Sequence, residues 1–532
     1  MNKIATYLNE HLIGDATSAK AIRKKYSIDG SILTITPELV VFPVLTNDVR
    51  KVARFTWQLA ERGHAIGVTV QGTGSDVTGA AIGKGVLIRT SLYLNQILNF
   101  LPKERLIHVQ PGARISAIQE VLKWHGLALQ NVPLESNLAT VGGLLANNTL
   151  THGGTLAGSI EKMEVILANG DVIETRRINK HEVNKKLGLQ TFEGEIYRKI
   201  SGIIEDNEAA ITGIAEDATP DNTGYRGIAS VRRKDGSMDL TPLFLGSQGT
   251  LGIISEVVLK ASFYAKEVSA ALILAESRES ARDIADSLLA IQPSQLNIIE
   301  GTLVNRARGH GRQFSLLSDD DVSGSLILVK FDDLNDRARN NKLKRLQKAV
   351  EKMGIGMVDT SDHTIEEFEQ IDRLVAATQR MESDDKTVLP ILSGAYIPND
   401  RREEFFASLD ELAAKQHVEL PVRIDALSNT LEALPYLKLS SVSDKQKVFR
   451  LINEFAAIVA KHSGSFVAGD AEGRLKANAA WALLDDTEVA LYEAIREVFD
   501  PFGTMNPGVK QKADVRTLVS SLRASYDVAD LL

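Results

Sequence analysis

The chain of 532 residues contains no cysteine. That excludes disulfides, a thiolate nucleophile and cysteine-ligated iron–sulfur clusters. Charges interrupt every stretch long enough to cross a bilayer, so no transmembrane segment is expected. The opening MNKIATYLNEHLIGDATSAK lacks the apolar core of a signal peptide. The expected location is the cytoplasm, with a peripheral membrane contact left open. There is no sustained basic block and the formal net charge is −8, which argues against nucleic acid as a partner. The 10 histidines include no HxH and no HExxH, so none stands at metal-ligating spacing. His108, inside an apolar segment, reads as a packed residue for the same reason.

What the chain does have is glycine in three clusters, each beside a strand-like segment. The first is VTVQGTGSDVTG, Val68 to Gly79, where Gly72, Gly74 and Gly79 alternate with Thr73, Ser75 and Thr78. Glycine tolerates positive φ and lets backbone N–H groups approach a ligand, and small hydroxyls add donors without bulk. Such a loop suits an anion nest, although a plain hairpin turn has the same composition. The second, NVPLESNLATVGGLLANNTLTHGGTLAGS (Asn131 to Ser159), is poor material for a core and fits backbone laid against a flat polar ligand. The third is LFLGSQGTLGIISEVVLK, Leu243 to Lys260. Three clusters argue for one extended ligand seen from several sides.

The length calls for two or three domains, and 44% hydrophobic with 24% charged residues is an ordinary globular balance. A short helical lead-in ends at the Asp29-Gly30 turn. Glu38 to Leu45 reads as a strand ended by Pro43, and the helix after it can be capped by Thr46 or Asn47 and stopped by Gly63. GVLIR (Gly85 to Arg89) reads as a buried strand, and Leu106 to Gly126 as strand, Pro-Gly turn and helix. After Ala261 the glycine loops cease and strands alternate with helices, as in an α+β domain on an antiparallel sheet. In NKLKRLQKAVEKMG, Leu343, Leu346, Val350 and Met353 form a buried stripe that Gly354 ends.

Neither common nucleotide loop fits. A dinucleotide fingerprint G-x-G-x-x-G needs glycine where Val77 stands, and no Gly-Lys-Ser/Thr occurs. The residues instead resemble the flavin oxidoreductases of the vanillyl-alcohol oxidase and p-cresol methylhydroxylase (PCMH) fold, within them the glycolate oxidase and D-lactate dehydrogenase branch. The first loop is similar to that family's R-G-x-G-T-x-x-x-G, with Gln71 for arginine and Ser75 for threonine. Pro111-Gly112 falls at its inter-subdomain turn. LGSQGTLGIISEVVLK resembles G-S-E-G-T-L-G-I-I-T-E with Gln248 for glutamate, GAYIPNDRREEF resembles D-V-A-V-P-x-S-R-L, and FDPFGTMNPGVKQ resembles D-P-x-G-x-L-N-P-G-K.

The resemblance spans residues 26 to about 511 and implies an α+β protein: a two-subdomain PCMH-type FAD-binding module plus an α+β cap domain with an antiparallel sheet. Residues 1–35 form the lead-in, 36–262 the FAD module, 263–490 the cap or substrate domain, and 491–532 return to the FAD module. It implies FAD contacts from Gln71, Gly72, Thr73, Gly74, Ser75 and Gly79, from Pro133, Thr140, Gly142, Gly143, Asn147 and Gly154, and from Gly249, Thr250, Gly252, Ile253 and Asn506. A histidine at the position of Ser75 can carry the flavin covalently in such relatives. Serine cannot, and cysteine is absent, so FAD is expected to be non-covalent.

The activity this implies is oxidation of a small hydroxy acid, such as a D-2-hydroxy acid, by hydride transfer to flavin N5. Electrons then pass to a quinone, another carrier or oxygen. That branch places histidines in G-H-A-G-D-G-N-L-H and E-H-G-I-G, often around a divalent metal. Here the chain departs: Asp425 and Glu432 in RIDALSNTLEALP, and Asp470 in AGDAEGRLK, stand at the histidine positions. Either these carboxylates converge to hold a cation or act as general base, or the metal site is lost and they are structural. The metal therefore stays open. Arg373 is the candidate cation for a substrate carboxylate, with Arg423, Arg474 and Lys476 beside it. Two alternatives remain: an FAD-dependent alcohol or polyol oxidoreductase, or a flavin-binding subunit without catalysis.

Overall fold

A computed structural model of the chain describes residues 2–133, 137–318, 320–359, 365–373 and 386–526. Residues 134–136 of the second glycine-rich stretch lie outside that description. Three sheets carry the architecture, an α+β arrangement of two smaller sheets followed by a larger antiparallel one.

The first sheet orders Asp15–Thr17, Leu39–Phe42, Val86–Arg89 and Val68–Gln71. The last three run parallel, and the first pairs antiparallel with its neighbour. Parallel strands are covered on both faces, so they read as unbroken apolar runs. Leu39, Val40 and Val41, with Val86, Leu87 and Ile88, are accordingly fully buried. The strand expected over Glu38 to Leu45 stops at Phe42, because Pro43 has no N–H to offer a ladder. The helix that follows, Thr46–Glu61, is capped by Asp48 rather than by Thr46 or Asn47. The Asp48 carboxylate accepts the N–H groups of Ile13, Gly14, Val44 and Leu45. Leu8 of the N-terminal helix Asn2–His11 and Met505 from the far end of the chain join this core.

The second sheet is antiparallel: Val172–Thr175, Ile160–Ile166, Ile253–Lys260, Leu106–Val109, Ile97–Leu101. His108 is not a core residue here. It is partly exposed, and its Nε2 lies 2.8 Å from Glu256 on the adjacent strand. Helix Asp486–Phe499 buries Leu491, Tyr492 and Ile495 against this core, so the late part of the chain packs on the earlier one.

The third sheet has seven strands, in the order Met357–Asp359, Ser269–Ala275, Ser325–Phe331, Gln295–Glu300, Val422–Asp425, Thr430–Ala433, Leu392–Tyr396. Alternation sorts its side chains to two faces. Ala271, Ile273, Leu296, Ile298, Ile327, Val422 and Ile424 share one core with helices Arg278–Leu288, Arg402–Gln416 and Val442–Lys461. Leu272, Ile299, Leu326 and Leu328 share the other core with Phe368 and Ile371. On helix Asp336–Met353, Leu346 and Val350 are buried, but Met353 at the last turn is 40% exposed, so the stripe is one residue shorter than its spacing suggests. Among the described residues no helix is long and apolar enough to cross a membrane.

Candidate active site

Strand Val68–Gln71 runs directly into the first glycine loop. Among the described residues, the backbone N–H groups of 73 to 77 donate to no protein acceptor. Gly74 has φ +84°, which turns successive N–H groups to one side. Asp76 folds the loop back, accepting from the N–H groups of Thr78 (3.1 Å) and Ala80 (2.8 Å) and from Asn147 Nδ2 (2.9 Å). The Thr73 hydroxyl donates to the Leu138 carbonyl.

The three glycine clusters meet. A Cβ on Gly72 would stand 2.4 Å from Thr140 Oγ1, and one on Gly142 would stand 2.8 Å from Pro111. Gly249 has φ +75° with open space where its Cβ would be. Between them lies a cleft of about 750 Å³, open solvent included. Gly72, Thr73, Gly74, Ser75, Thr140, Gly142, Gly143, Asn147, Gly249, Gly252 and Ile253 line it. Its described lining includes no lysine or arginine. Free N–H dipoles, small hydroxyls and close-packed glycine fit the pyrophosphate of a dinucleotide such as FAD.

The remaining expected cofactor residues do not line this cleft, and Gln71, Thr250 and Asn506 hold it from behind. Gln71 is buried, donates to the carbonyls of Ile28 and Ala81 and accepts from Arg89. Asn506 donates to the carbonyls of Ala80 (2.8 Å) and Gln248 (2.7 Å). Thr250 is engaged with Ser247 and Tyr225. A Cβ on Gly79 would meet Leu33, and one on Gly154 would meet the Asn131 side chain. Pro133 lines the neighbouring cavity. Gln248, which stands where the resemblance has glutamate, donates to Thr78 and Asn147 and accepts the Gly473 N–H, tying the third cluster to the first.

That second cavity, about 1810 Å³ with open solvent included, opens beside the cleft and shares Ser75, Asp76, Thr140, Gly143 and Asn147 with it. Asp425, Glu432, Asp470 and Arg373 all line it, so the four expected catalytic positions come together. The strand pattern explains two of them. Thr430 pairs opposite Asp425 and Glu432 opposite Arg423, which sets all four on the face away from Val422 and Ile424. Asp425 accepts from the N–H groups of His152 (2.9 Å), Leu427 (3.0 Å) and Ser428 (3.3 Å).

Asp470 arrives on a loop wedged between both halves of the protein. Gly469 packs against Gly394 and its carbonyl accepts the Leu150 N–H, and on the other side of Asp470 the Ala471 N–H donates to the Asn147 carbonyl. The Asp470 carboxylate accepts from Thr149 Oγ1 at 2.7 Å. Burial pushes its pKa up to about 6, against the pull of Lys476 and the Thr149 bond. Among the described residues no group of three or more His, Cys, Asp or Glu is placed to hold a metal ion.

The cations divide differently from the expectation. Arg373 sits at the rim, 41% exposed and paired with Glu369. Arg423 bonds Asp372 at 3.1 Å and faces Glu432 at 3.9 Å. Burial opposes its charge, but these two carboxylates outweigh that and raise its pKa. Arg474 serves the flavin-side loops, donating to the carbonyls of Ile82 and Pro507, and burial lowers its pKa to about 10. Lys476 is fully buried and donates to the Ser393 carbonyl at 2.6 Å, behind the cavity wall. Sequence reasoning missed Asp372, Thr149 and His152. His152 has φ +47° inside the second glycine stretch, where metal spacing was the wrong test for it.

Comparison with known proteins agrees with this geometry. Residues 37–176 match the model of an FAD binding domain, and residues 265–509 match that of the FAD linked oxidases, C-terminal domain. The chain belongs to the FAD-linked oxidases. Its fold is shared with 4-ethylphenol oxidase from Gulosibacter chungangensis (TM-score 0.69, 13% identity, 97% of this chain and 98% of that one). It is shared also with p-cresol methylhydroxylase (TM-score 0.68, 13% identity, 96% of each). Among curated proteins it is similar to D-2-hydroxyglutarate dehydrogenase of Pantoea ananatis, 22% identical over 99% of this chain and 54% of that protein. It is also similar to glycolate oxidase subunit GlcD of Bacillus subtilis, 20% identical over 92% of each. D-lactate dehydrogenase of Anaerostipes hadrus is 22% identical over 93% of this chain and 94% of that one. The chain spans about half the length of the D-2-hydroxyglutarate dehydrogenases it matches.

Proposed function

We propose that this chain is an FAD-dependent oxidoreductase acting on the CH–OH group of a small hydroxylated compound. One observation carries the reading: a cavity with a half-buried carboxylate, Asp470, opens beside the glycine-lined cleft and shares part of its wall. Bound there, FAD supplies the acceptor for the hydride, at N5. The chain's residues would do the rest. The 73–77 loop and the start of helix Val141–Asn147 hold the cofactor, with Gln71, Gly79, Thr250 and Asn506 fixing the loops around it. Asp470 takes the hydroxyl proton as the carbon loses its hydride, leaving a carbonyl product. Asp425, Glu432 and Arg423 orient the substrate, and Arg373 guards the rim.

In this reading residues 36–262 form the FAD module, 263–490 the cap, and 491–532 close back onto the FAD module. Of the lead-in 1–35, Leu8 and Leu12 pack into the first core, whereas Ile32 and Leu33 join the core of the seven-stranded sheet. Hydroxy acids, named for the relatives, are the first substrates to test. The experiment is anaerobic bleaching of the purified protein's flavin absorbance by a panel of hydroxylated compounds. Absence of flavin from the purified protein, or a flavin that dithionite reduces but no panel member does, would refute the proposal.

A further inference from the structure

The chemistry of the cavity wall narrows the substrate class, on the reading above that this cavity holds the molecule oxidised. Three of the acids that line it are already accounted for. Asp372 is neutralised by Arg423 and also accepts from Gln295 and Asn297, and Asp76 closes the glycine loop. Asp425 is held by three backbone N–H groups and lies 3.6 Å from His152 Nδ1, so Glu432 and Asp470 remain. Against them, among the described residues that line the cavity, stand Arg423, 3.9 Å from Glu432 and bonded to Asp372, and Arg373, at the rim and paired with Glu369. A substrate carboxylate would enter among like charges, with its natural partner Arg423 already engaged.

The unfilled hydrogen bonds point the same way. Arg423 Nε, His152 Nδ1 and Thr151 Oγ1 are buried atoms with no hydrogen-bond partner among the described residues, although Asp425 lies 3.6 Å from His152 Nδ1. Asp470 keeps one oxygen for which no donor is present among the described residues, and Glu432 meets Arg423 only at 3.9 Å. This wall therefore asks for donors at its carboxylates and for acceptors at Arg423. A carboxylate ligand offers acceptors alone, whereas each hydroxyl donates and accepts. We propose that the cavity takes an uncharged polyhydroxylated substrate, a polyol or a sugar, in preference to a hydroxy acid.

The test uses the intact, flavin-loaded protein. Anaerobic bleaching rates are measured for D-sorbitol, xylitol and D-glucose beside glycolate, D-lactate and D-2-hydroxyglutarate. The expected result is a kcat/KM at least tenfold higher for one or more of the neutral compounds than for any acid. Faster bleaching by an acid would overturn this inference and leave the oxidoreductase reading standing. Bleaching by none of the six, with dithionite still reducing the flavin, would overturn both. Glu432→Gln supplies an independent check, since Glu432 is a third exposed and its replacement leaves the fold's core untouched. It should raise KM for the neutral substrate about tenfold with a smaller change in kcat and unchanged flavin content. An unaltered KM would count against the proposal.

Discussion

Replacing Asp470 by asparagine separates what this carboxylate does for the reaction from what its charge costs the fold. Asparagine keeps the size and the bond to Thr149 but can neither ionise nor accept a proton. In the folded protein burial raises the Asp470 pKa from 3.8 to about 6. A shift of about two units corresponds to about 3 kcal/mol between the two protonation states. Because the folded value is raised, the stability linked to the bound proton is fully present below pH 3.8 and is lost as pH rises through about 6. At pH 8 the wild type therefore carries a penalty of up to about 3 kcal/mol that Asp470→Asn lacks. The variant should match the wild type in denaturant stability near pH 3.8 and exceed it increasingly up to pH 7.

Activity should move the other way. A positioned base typically contributes about 10²–10⁴-fold, so flavin bleaching by substrate should fall by that order while FAD stays bound. Wild-type kcat/KM should rise with pH through about 6 and then level, as the base loses its proton. The assays are urea melts across pH and anaerobic stopped-flow bleaching. Bleaching within tenfold of wild type would remove Asp470 from proton transfer. Destabilisation equal at every pH would show that its charge is not what burial opposes.

Other expectations follow from single observations. Acid precipitation should release all flavin to the supernatant, because Ser75 and a chain without cysteine offer no tether; flavin left in the pellet would contradict this. Asp29, fully buried and facing Asp76, has its pKa pushed up to about 8, chiefly by burial. It is protonated at pH 7, and stability should fall as pH rises through about 8; Asp29→Asn should flatten that alkaline limb in urea melts. Lys510 and Glu472 form a fully buried pair at 2.6 Å, and Glu472 also accepts from Gly224 and Trp481. Lys510→Met strands that carboxylate and should destabilise the protein by about 3–5 kcal/mol, read from the denaturant midpoint. A loss under 1 kcal/mol would show that water reaches the site.

The glycine-lined cleft proposed for the cofactor was readable because its requirements are local. Loops such as TGSDV need glycine and small hydroxyls wherever they occur, and the apolar runs LVVF and VLIR announce strands covered on both faces. The supporting residues were harder to assign. Gln71 and Asn506 look in sequence like members of the binding loop, yet each spends its amide on carbonyls behind it. Asp48 displaced Thr46 and Asn47 as helix cap because Ile13 and Gly14, more than thirty residues earlier, bring it two further N–H groups. Met353 lost its place in the core to the helix's last turn, where the apolar spacing runs on but the packing does not.

By itself the sequence determined the composition of the glycine loops, the absence of any thiol chemistry and the presence of acids at 425, 432 and 470. Those follow from residue identity and short-range spacing. Only the tertiary structure decided that Asp425, Glu432, Asp470 and Arg373 face one cavity, and that Asp372 and Glu432 hold Arg423 against its wall. The alternation of RID and TLE sets side chains on one face, but which face meets the flavin cleft depends on how the seven-stranded sheet is docked. Burial fixed the rest, since a carboxylate's charge state depends on the water and partners that folding leaves around it.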